Sequence, residues 1–451
     1  MAGAGADGAI VPPSGSTVRS LAGDARLAWQ RLAPEHWPVP LQAFPAGTAV
    51  VGGAVRDALL DRLGERPDID LVLPGDAVEL CRQLRRRHGG SAVVLDGERS
   101  IARLVIDGWS LDLARQEGGS LNADLHRRDY TINAMALPLA EPDALVDPLG
   151  GAADLAAAQL VAVSEANLLD DPLRLLRGLR LAGELGFQLN PQTLAWIHRH
   201  HARLGEVAGE RVLAELEKLA AAADGGPGLA AVQTSGLLQP WQGQPTPHSR
   251  LQAERSVALL QQLTPAHAAG LSLSPDEASS ALPLARLAAL LDGRSLHALR
   301  SSRRLQQRVE RLRHWWERLG PASSTAEPSN PASTAEDLPE PERLHLHRQL
   351  EDDLPALVLT WPPQAASTAQ RWLQRWRDPN DPLFHPKAAI DGGSLQRELA
   401  LPPSPQLGQL LDRLMLERAF GRIQTAQQAL QAARHWLDGS SNPDSSGSRR
   451  D

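Results

Sequence analysis

Over roughly the first 140 residues, apolar positions come in short runs separated by polar and turn-forming residues. Thr48–Val51, Ile69–Leu73, Ala92–Leu95, Ile101–Ile106 and Ser110–Ala114 each have the length of one strand and are bounded by such breaks, which predicts five strands. Residues 76–88 carry apolar side chains at helical spacing, a helix between two of those strands. From about residue 151 the pattern changes. Ala, Leu, Gln, Glu and Arg dominate, apolar residues recur every three to four positions, and no run reads as a strand. The chain is a small α/β head followed by a long helical body.

Composition adds limits. No stretch of about 18 uncharged apolar residues exists, so no membrane span is predicted. No basic segment followed by an apolar one opens the chain, and the single cysteine, Cys81, can form neither an internal disulfide nor a zinc cluster; a reducing, cytoplasmic setting is the expectation. Residues 1–20 and 439–451 are small or polar and predict disorder, and the Pro/Ser/Thr/Glu-rich stretch 320–343 predicts a linker. The net charge of −7 argues against a uniformly basic nucleic-acid binder. Charge is uneven, however. Arg294, Arg300, Arg303, Arg304, Arg308, Arg311, Arg313 and Arg318 face only Glu310 and Glu317 over residues 294–318, a local surplus of six. Arg300, Arg303, Arg304, Arg308 and Arg311 are the candidates for RNA contact, since phosphate binding needs local positive charge.

Candidate chemistry sits in the head. At 51–62, VGGAVRDALLDR, a strand ends in Gly52-Gly53 and a helix begins. Paired glycines let backbone N–H groups approach a phosphate, and Arg56 lies one turn into the helix. The pattern is neither a Walker loop nor the dinucleotide fingerprint. Asp68-Ile69-Asp70 follows. Residues two apart on a strand share a face, so both carboxylates project together, and a magnesium ion is the natural occupant between them. Leu111-Asp112-Leu113 puts a third carboxylate opposite two apolar neighbours, enough for a site in which one ion activates a hydroxyl and another steadies a leaving group. Asp107 is set aside because Asp107-Gly108 reads as a turn.

In order along the chain, GGAVRD with DID is followed by RRDYTINAMA (127–136), DPLGGAADL (147–155), DDPLRLLRGLR (170–180) and ERVLAELEKL (210–219). This series resembles the class II tRNA nucleotidyltransferases (CCA-adding enzymes) and bacterial poly(A) polymerases, and AIDGGSLQRELALPPSPQLGQLLDRL (389–414) is similar to the tail of many bacterial members. The resemblance implies an α+β fold: a nucleotidyltransferase head with a mixed β-sheet (21–160), a helical neck with a base-reading helix (161–225), a helical body (226–319) and, after the linker, a tRNA-contacting tail (344–438). It implies transfer of CMP or AMP from CTP or ATP to the 3′-hydroxyl of tRNA with release of pyrophosphate. Asp68 and Asp70 would bind Mg2+ with Asp112 as the third carboxylate. Gly52, Gly53 and Arg56 would hold the triphosphate, Arg128 would touch the nucleotide, and Asn133 would brace its segment. Asp171, Arg174, Arg177 and Arg180 fall on the base-reading positions. On a helix, Leu173, Leu175, Leu176 and Leu179 form an apolar arc with Asp171, Arg174 and Arg177 opposite, and Gly178 is placed to leave room for a base. Arg180 projects toward the apolar arc. An i,i+3 ion pair within the helix is the plain alternative for this stripe.

Only QEGGSLNADLH separates Arg115 from RRDYTINAMA, where CCA-adding relatives carry a longer flexible loop. The short connection favours addition of CC alone, with a separate A-adding enzyme acting next. A poly(A) polymerase, a catalytically inactive RNA-binding protein and a small-molecule nucleotidyltransferase are the competing readings. HLHRQLEDD at 345–353 reads as a solvated helix.

Overall fold

The computed structural model describes residues 25–141, 143–242, 247–320, 331–402 and 404–440. They form two compact units, one built from the chain up to residue 224 together with 231–243, the other from 225–230 and the chain beyond 244.

The first unit contains the head. Its strands are β1 (Ala49–Val51), β2 (Ile69–Leu73), β3 (Ser91–Asp96), β4 (Ile101–Ile106), β5 (Trp109–Arg115) and β6 (Ala136–Pro138). They lie in the order β3-β4-β5-β2-β1-β6. β2 and β5 are parallel and the other neighbours antiparallel, so the sheet is mixed. Five strands fall where the short apolar runs predict them; β6 was not predicted, because three residues inside RRDYTINAMALP are too few to stand out as a run. Alternation sorts β5 cleanly: Trp109, Leu111 and Leu113 are buried, and Ser110, Asp112 and Ala114 are partly open.

Of the helices, α1 (Ala25–Leu32) packs on α2 (Gly53–Leu59), and α3 (Ala77–His88) lies across β3, β4 and β5. α3 is capped by Asp76, whose carboxylate accepts from the N–H groups of Val78 and Glu79. Opposite α3, the segment α4 (Leu121–His126) and RRDYTINAMA pack on β1 and β2 through Leu125, Ala134 and Ala136 against Ala49, Val51 and Val72. Helices α5 (Gly151–Ala156), α6 (Glu165–Asp170), α7 (Leu173–Leu185), α8 (Pro191–His200) and α9 (Gly209–Ala221) follow in the same unit, with α7 packed along α9. Two-residue strands at Gln159–Leu160 and Gln188–Leu189 pair in parallel, a small exception to the all-helical expectation after residue 151.

The second unit is helical. Its longest buried helix, Pro275–Leu290, starts with a capping box between Ser274 and Glu277. The stretch read as a linker is not one throughout: 331–336 and 340–350 are helical, and Ala332, Ala335 and Leu338 are buried, because short apolar residues among the prolines find a core. Residues 321–330 lie outside the described residues. So do 1–20 and 441–451, while Gly439 and Ser440 end the last helix, Ala426–Ser440. Within HLHRQLEDD, His347 is buried against Phe384 and Trp372, which departs from a wholly solvated helix. No described helix is long and apolar enough to cross a membrane.

Candidate active site

The sheet register brings the carboxylates together. Asp70 of β2 pairs in register with Asp112 of β5, so the two side chains emerge side by side on one face. Asp68 stands exposed just before β2. Burial, then the nearby charge of Asp112 and, less strongly, that of Asp68, push the Asp70 carboxyl up to about 6, against a pull from Arg128. A carboxylate raised by burial and by its neighbours' charge is relieved by a cation, and hard carboxylate oxygens suit Mg2+. The donor set at Asp68 and Asp70 therefore fits that ion, although among the described residues no three His, Cys, Asp or Glu side chains form a ready-made cage.

Asp112 is engaged. Arg103 of β4, directly opposite it, donates to both its oxygens, from Nε at 2.6 Å and Nη2 at 2.7 Å. Sequence reasoning missed Arg103, yet a signal existed. Asp107 and Gly108 both have positive φ and close a two-residue hairpin, which fixes the pairing of Ile106 with Trp109 and so of Arg103 with Asp112.

Gly52 lies at the centre of this face. Its φ of +72° disfavours any side chain, and a Cβ there would stand 3.0 Å from Arg128 Nη1 and 3.5 Å from Asp70 Oδ2. Arg128 is aimed by Asp124, whose Oδ2 accepts from Nη2 at 3.0 Å. Arg56 departs from expectation. It is buried, donates to Asn133 Oδ1 at 2.8 Å and pairs through Nε and Nη2 with Asp57, so it braces the Gly52-Gly53 turn instead of reaching into open space. Asn133 Nδ2 in turn donates to Asp129 Oδ1 at 3.1 Å, and Arg177 Nε donates to Asp129 Oδ2 at 3.0 Å. Burial pushes Asp129 up, but Arg177, Asn133 and the Tyr130 N–H outweigh it and hold the carboxyl down at about 2. Asp129, unnoticed in the sequence, thus joins the glycine turn to α7.

The expected base-reading stripe divides, since Asp171 lies in extended backbone between α6 and α7 and not on the helix with Arg174 and Arg177. Asp171 Oδ2 accepts from Arg211 Nη2 at 2.7 Å, and Arg174 Nη1 donates to the carbonyls of Asn167 at 2.7 Å and Arg127 at 3.0 Å, so the two do not pair with each other. Arg177 holds Asp129. These residues line a cleft of about 460 Å³ with Arg99, Arg115, Arg127, Arg128 and Arg211. Its carboxylates Glu117, Asp124, Asp129, Asp170 and Asp171 are outnumbered by the arginines, giving a recess that favours an anion. Arg180 does not reach it. That side chain is buried, donates from Nε to Glu215 at 2.5 Å and pairs with Glu184, because it points to the α9 side of α7. Gly178 likewise serves packing: a Cβ there would lie 2.2 Å from the Tyr130 hydroxyl, which donates to the Arg174 carbonyl at 2.7 Å. The room it leaves is filled by tyrosine, not by a base.

The basic stretch, in the second unit, is also divided. Arg308 is paired with Asp353 at 2.7 Å, Arg318 with Glu342 at 2.8 Å, and Arg311 donates weakly to the Gln349 carbonyl at 3.4 Å. Arg303 and Arg304, at the start of the helix Arg303–Leu319, are exposed and have no ion-pair partner among the described residues. Arg300 is exposed just ahead of them.

Comparison with known proteins follows the same outline. A family described as the poly A polymerase head domain matches residues 48–161, and one described as a probable RNA and SrmB-binding site of polymerase A matches 186–245. A CC-adding tRNA nucleotidyltransferase of Synechocystis is 33% identical over 404 residues, covering 87% of this chain and 94% of that protein. An A-adding tRNA nucleotidyltransferase of Deinococcus radiodurans is 31% identical over 442 residues, covering 88% and 98% respectively. The CCA-adding enzyme of Thermotoga maritima, solved in complex with tRNA, shares the fold with a TM-score of 0.66 at 20% identity, over 92% of this chain and 98% of that one.

Proposed function

The chain belongs to the family of tRNA nucleotidyltransferases and bacterial poly(A) polymerases, and from that premise we propose that it adds CC to the 3′ end of tRNA, taking CMP from CTP. The observation that carries the restriction to CC is the connection between β5 and RRDYTINAMA. It is a short turn at Glu117–Gly119 and the six residues of α4, pinned by Leu125 in the core and by the buried Asp124. Glu117 N–H donates to Asp124 Oδ1 at 3.1 Å, so the start of the segment is tied to its end and it has no slack with which to reshape the site for a different base. The A-adding relative matches over a similar length, so overall likeness does not choose between C and A.

The tRNA 3′-hydroxyl attacks the α-phosphorus, the new O–P bond forms, and pyrophosphate leaves. A magnesium ion held by Asp68 and Asp70 would supply charge neutralisation and acidify that hydroxyl. The remaining work falls to positioning. The Gly52-Gly53 turn admits the triphosphate, Arg128 reaches it, and Arg99, Arg115 and Arg127 add positive charge around it. Arg56, Asn133 and Asp129 hold that turn. Asp171 and Arg174 meet the base edge: a carboxylate accepts from the exocyclic amine of C or A, and a guanidinium donates to the neighbouring ring acceptor. A separate A-adding enzyme would finish the end.

The test supplies Mg2+ and tRNA transcripts ending at the discriminator base, at C and at CC, with CTP, ATP or both, and resolves products to single nucleotides. C on the first two and no A on the third is expected. A single A on the CC end makes it a complete CCA-adding enzyme, and long A tails on any RNA make it a poly(A) polymerase. A protein silent in every lane is an RNA binder with the family's fold; Asp68→Ala/Asp70→Ala is the blank.

A further inference from the structure

β3 is an edge of the six-stranded sheet, so its outer backbone N–H and C=O groups are not used by β4. Solvent-facing edges are normally kept short, charged or covered. This one reads Ser91-Ala92-Val93-Val94-Leu95-Asp96, with Val93, Val94 and Leu95 close to half exposed and Val105 of β4 beside them at 42%. Four of the seven exposed large apolar side chains among the described residues thus gather at one edge. Strand alternation puts Val93 and Val105 on the Arg103 face and Val94 on the α3 face. On that second face an open cleft of about 210 Å³ lies between α3 and β3, lined by Cys81, Arg82, Ala92 and Val94 among others. Apolar side chains open on both faces of a free edge are what strand-to-strand docking buries.

Charge selects the occupant and its direction. The last turn of α3 carries Arg85-Arg86-Arg87, three residues (His88-Gly89-Gly90) before β3 begins, while Asp96 ends β3 and Glu98 lies just beyond it. Arg85 and Arg87 are exposed and have no ion-pair partner among the described residues; Glu98 is exposed as well. A parallel pairing of two such edges would set arginines against arginines. An antiparallel one sets the arginines of each copy beside Asp96 and Glu98 of the other. We propose that this edge is a homodimer interface, in which β3 of two copies pair antiparallel about a two-fold axis and join two sheets into one. The contact is self-complementary, as a closed two-fold pair requires. The ladder shifts register between Val94 and Asp96, which confines regular pairing to residues 91–94 and leaves the apolar side chains to supply most of the contact.

Sedimentation velocity of the full chain across a concentration series tests this. The unaltered protein is expected to run as a dimer. Val93→Lys/Leu95→Lys is expected to run as a monomer with unchanged thermal melting, since those side chains are exposed. Arg87→Glu and Glu98→Arg should each weaken the dimer by about tenfold, and their combination should recover most of the loss, because like charges at an interface are costly and the exchange restores the pairs. A monomer at every concentration would overturn the proposal and leave the edge to some other partner. So would a dimer indifferent to the lysines, or a charge exchange without recovery. If the lysine variant melts early, the exchange alone decides, since it touches only exposed charges.

Discussion

At the scale of single residues, the site is held by charges that restrain one another. Asp70 ionises near pH 6 in the folded chain and at its ordinary 3.8 when unfolded. Between those values the folded state keeps a proton that the unfolded state has lost, so this group's contribution to stability falls as pH rises through the window and is fully lost above 6. Asp70→Asn should abolish that slope. In a chelator at pH 7, chemical denaturation should find it more stable than the parent by on the order of 1–3 kcal/mol, while incorporation is silent. Equal stability would mean the carboxylates do not strain the fold. His347 runs the other way. Burial first, then the charges of Arg343 and Arg375, with His385 adding and Asp381 opposing, lower it to about 3, and neither ring nitrogen has a hydrogen-bond partner among the described residues. The unfolded histidine binds its proton near 6.5, so stability is lost as pH falls from there toward 3. His347→Phe should flatten the acid limb of the second unit's unfolding; an unchanged limb would place the acid sensitivity elsewhere.

At the scale of elements, short apolar runs and helical spacing made most of the head legible: β1 and β2 are almost wholly buried and show as apolar runs, while β4 and β5 alternate between a buried and an open face. The face shared by Asp70 and Asp112 could be read for each strand alone, but their adjacency could not. It depends on β5 lying parallel beside β2, across a connection through α3, β3 and β4. The same limit hid the partners of α7. Nothing local marks Arg211 as the partner of Asp171, or Glu215 as that of Arg180. Gly178 was misjudged because a helical wheel gives a direction and not the neighbour, here Tyr130. Gly178→Ala should cost about 1–3 kcal/mol by overpacking and displace α7 from Asp129. Its KM for CTP should rise and its denaturation midpoint fall; a silent substitution would mean the tyrosine moves freely.

At the scale of the whole molecule, the arginine-rich cleft lies in the first unit and the arginine-rich stretch 294–318 in the second. The arginine surplus of residues 294–318 is partly spent on internal pairs, so charge reversal at Arg308 would injure packing against Asp353 and report little about RNA. Arg303→Glu/Arg304→Glu should instead weaken tRNA binding and flatten its dependence on salt, without lowering the melting temperature. Titrations at several salt concentrations check this, and an unchanged slope would remove that helix start from the RNA contact. The chain of bonds from Arg56 to Arg177 bears on how the molecule comes into being. Arg56 and Asn133 are 77 residues apart, Asp129 and Arg177 48, and Asp171 and Arg211 40. A ribosome delivers Asp70, Asp112 and most of the arginines around them before Arg177 and Arg211, which tie Asp129 and Asp171. At about 5–20 residues per second, roughly 5–20 s pass between synthesis of Asp112 and of Arg211. The full set of contacts around the cleft is therefore complete only after that interval, on a schedule set by translation itself.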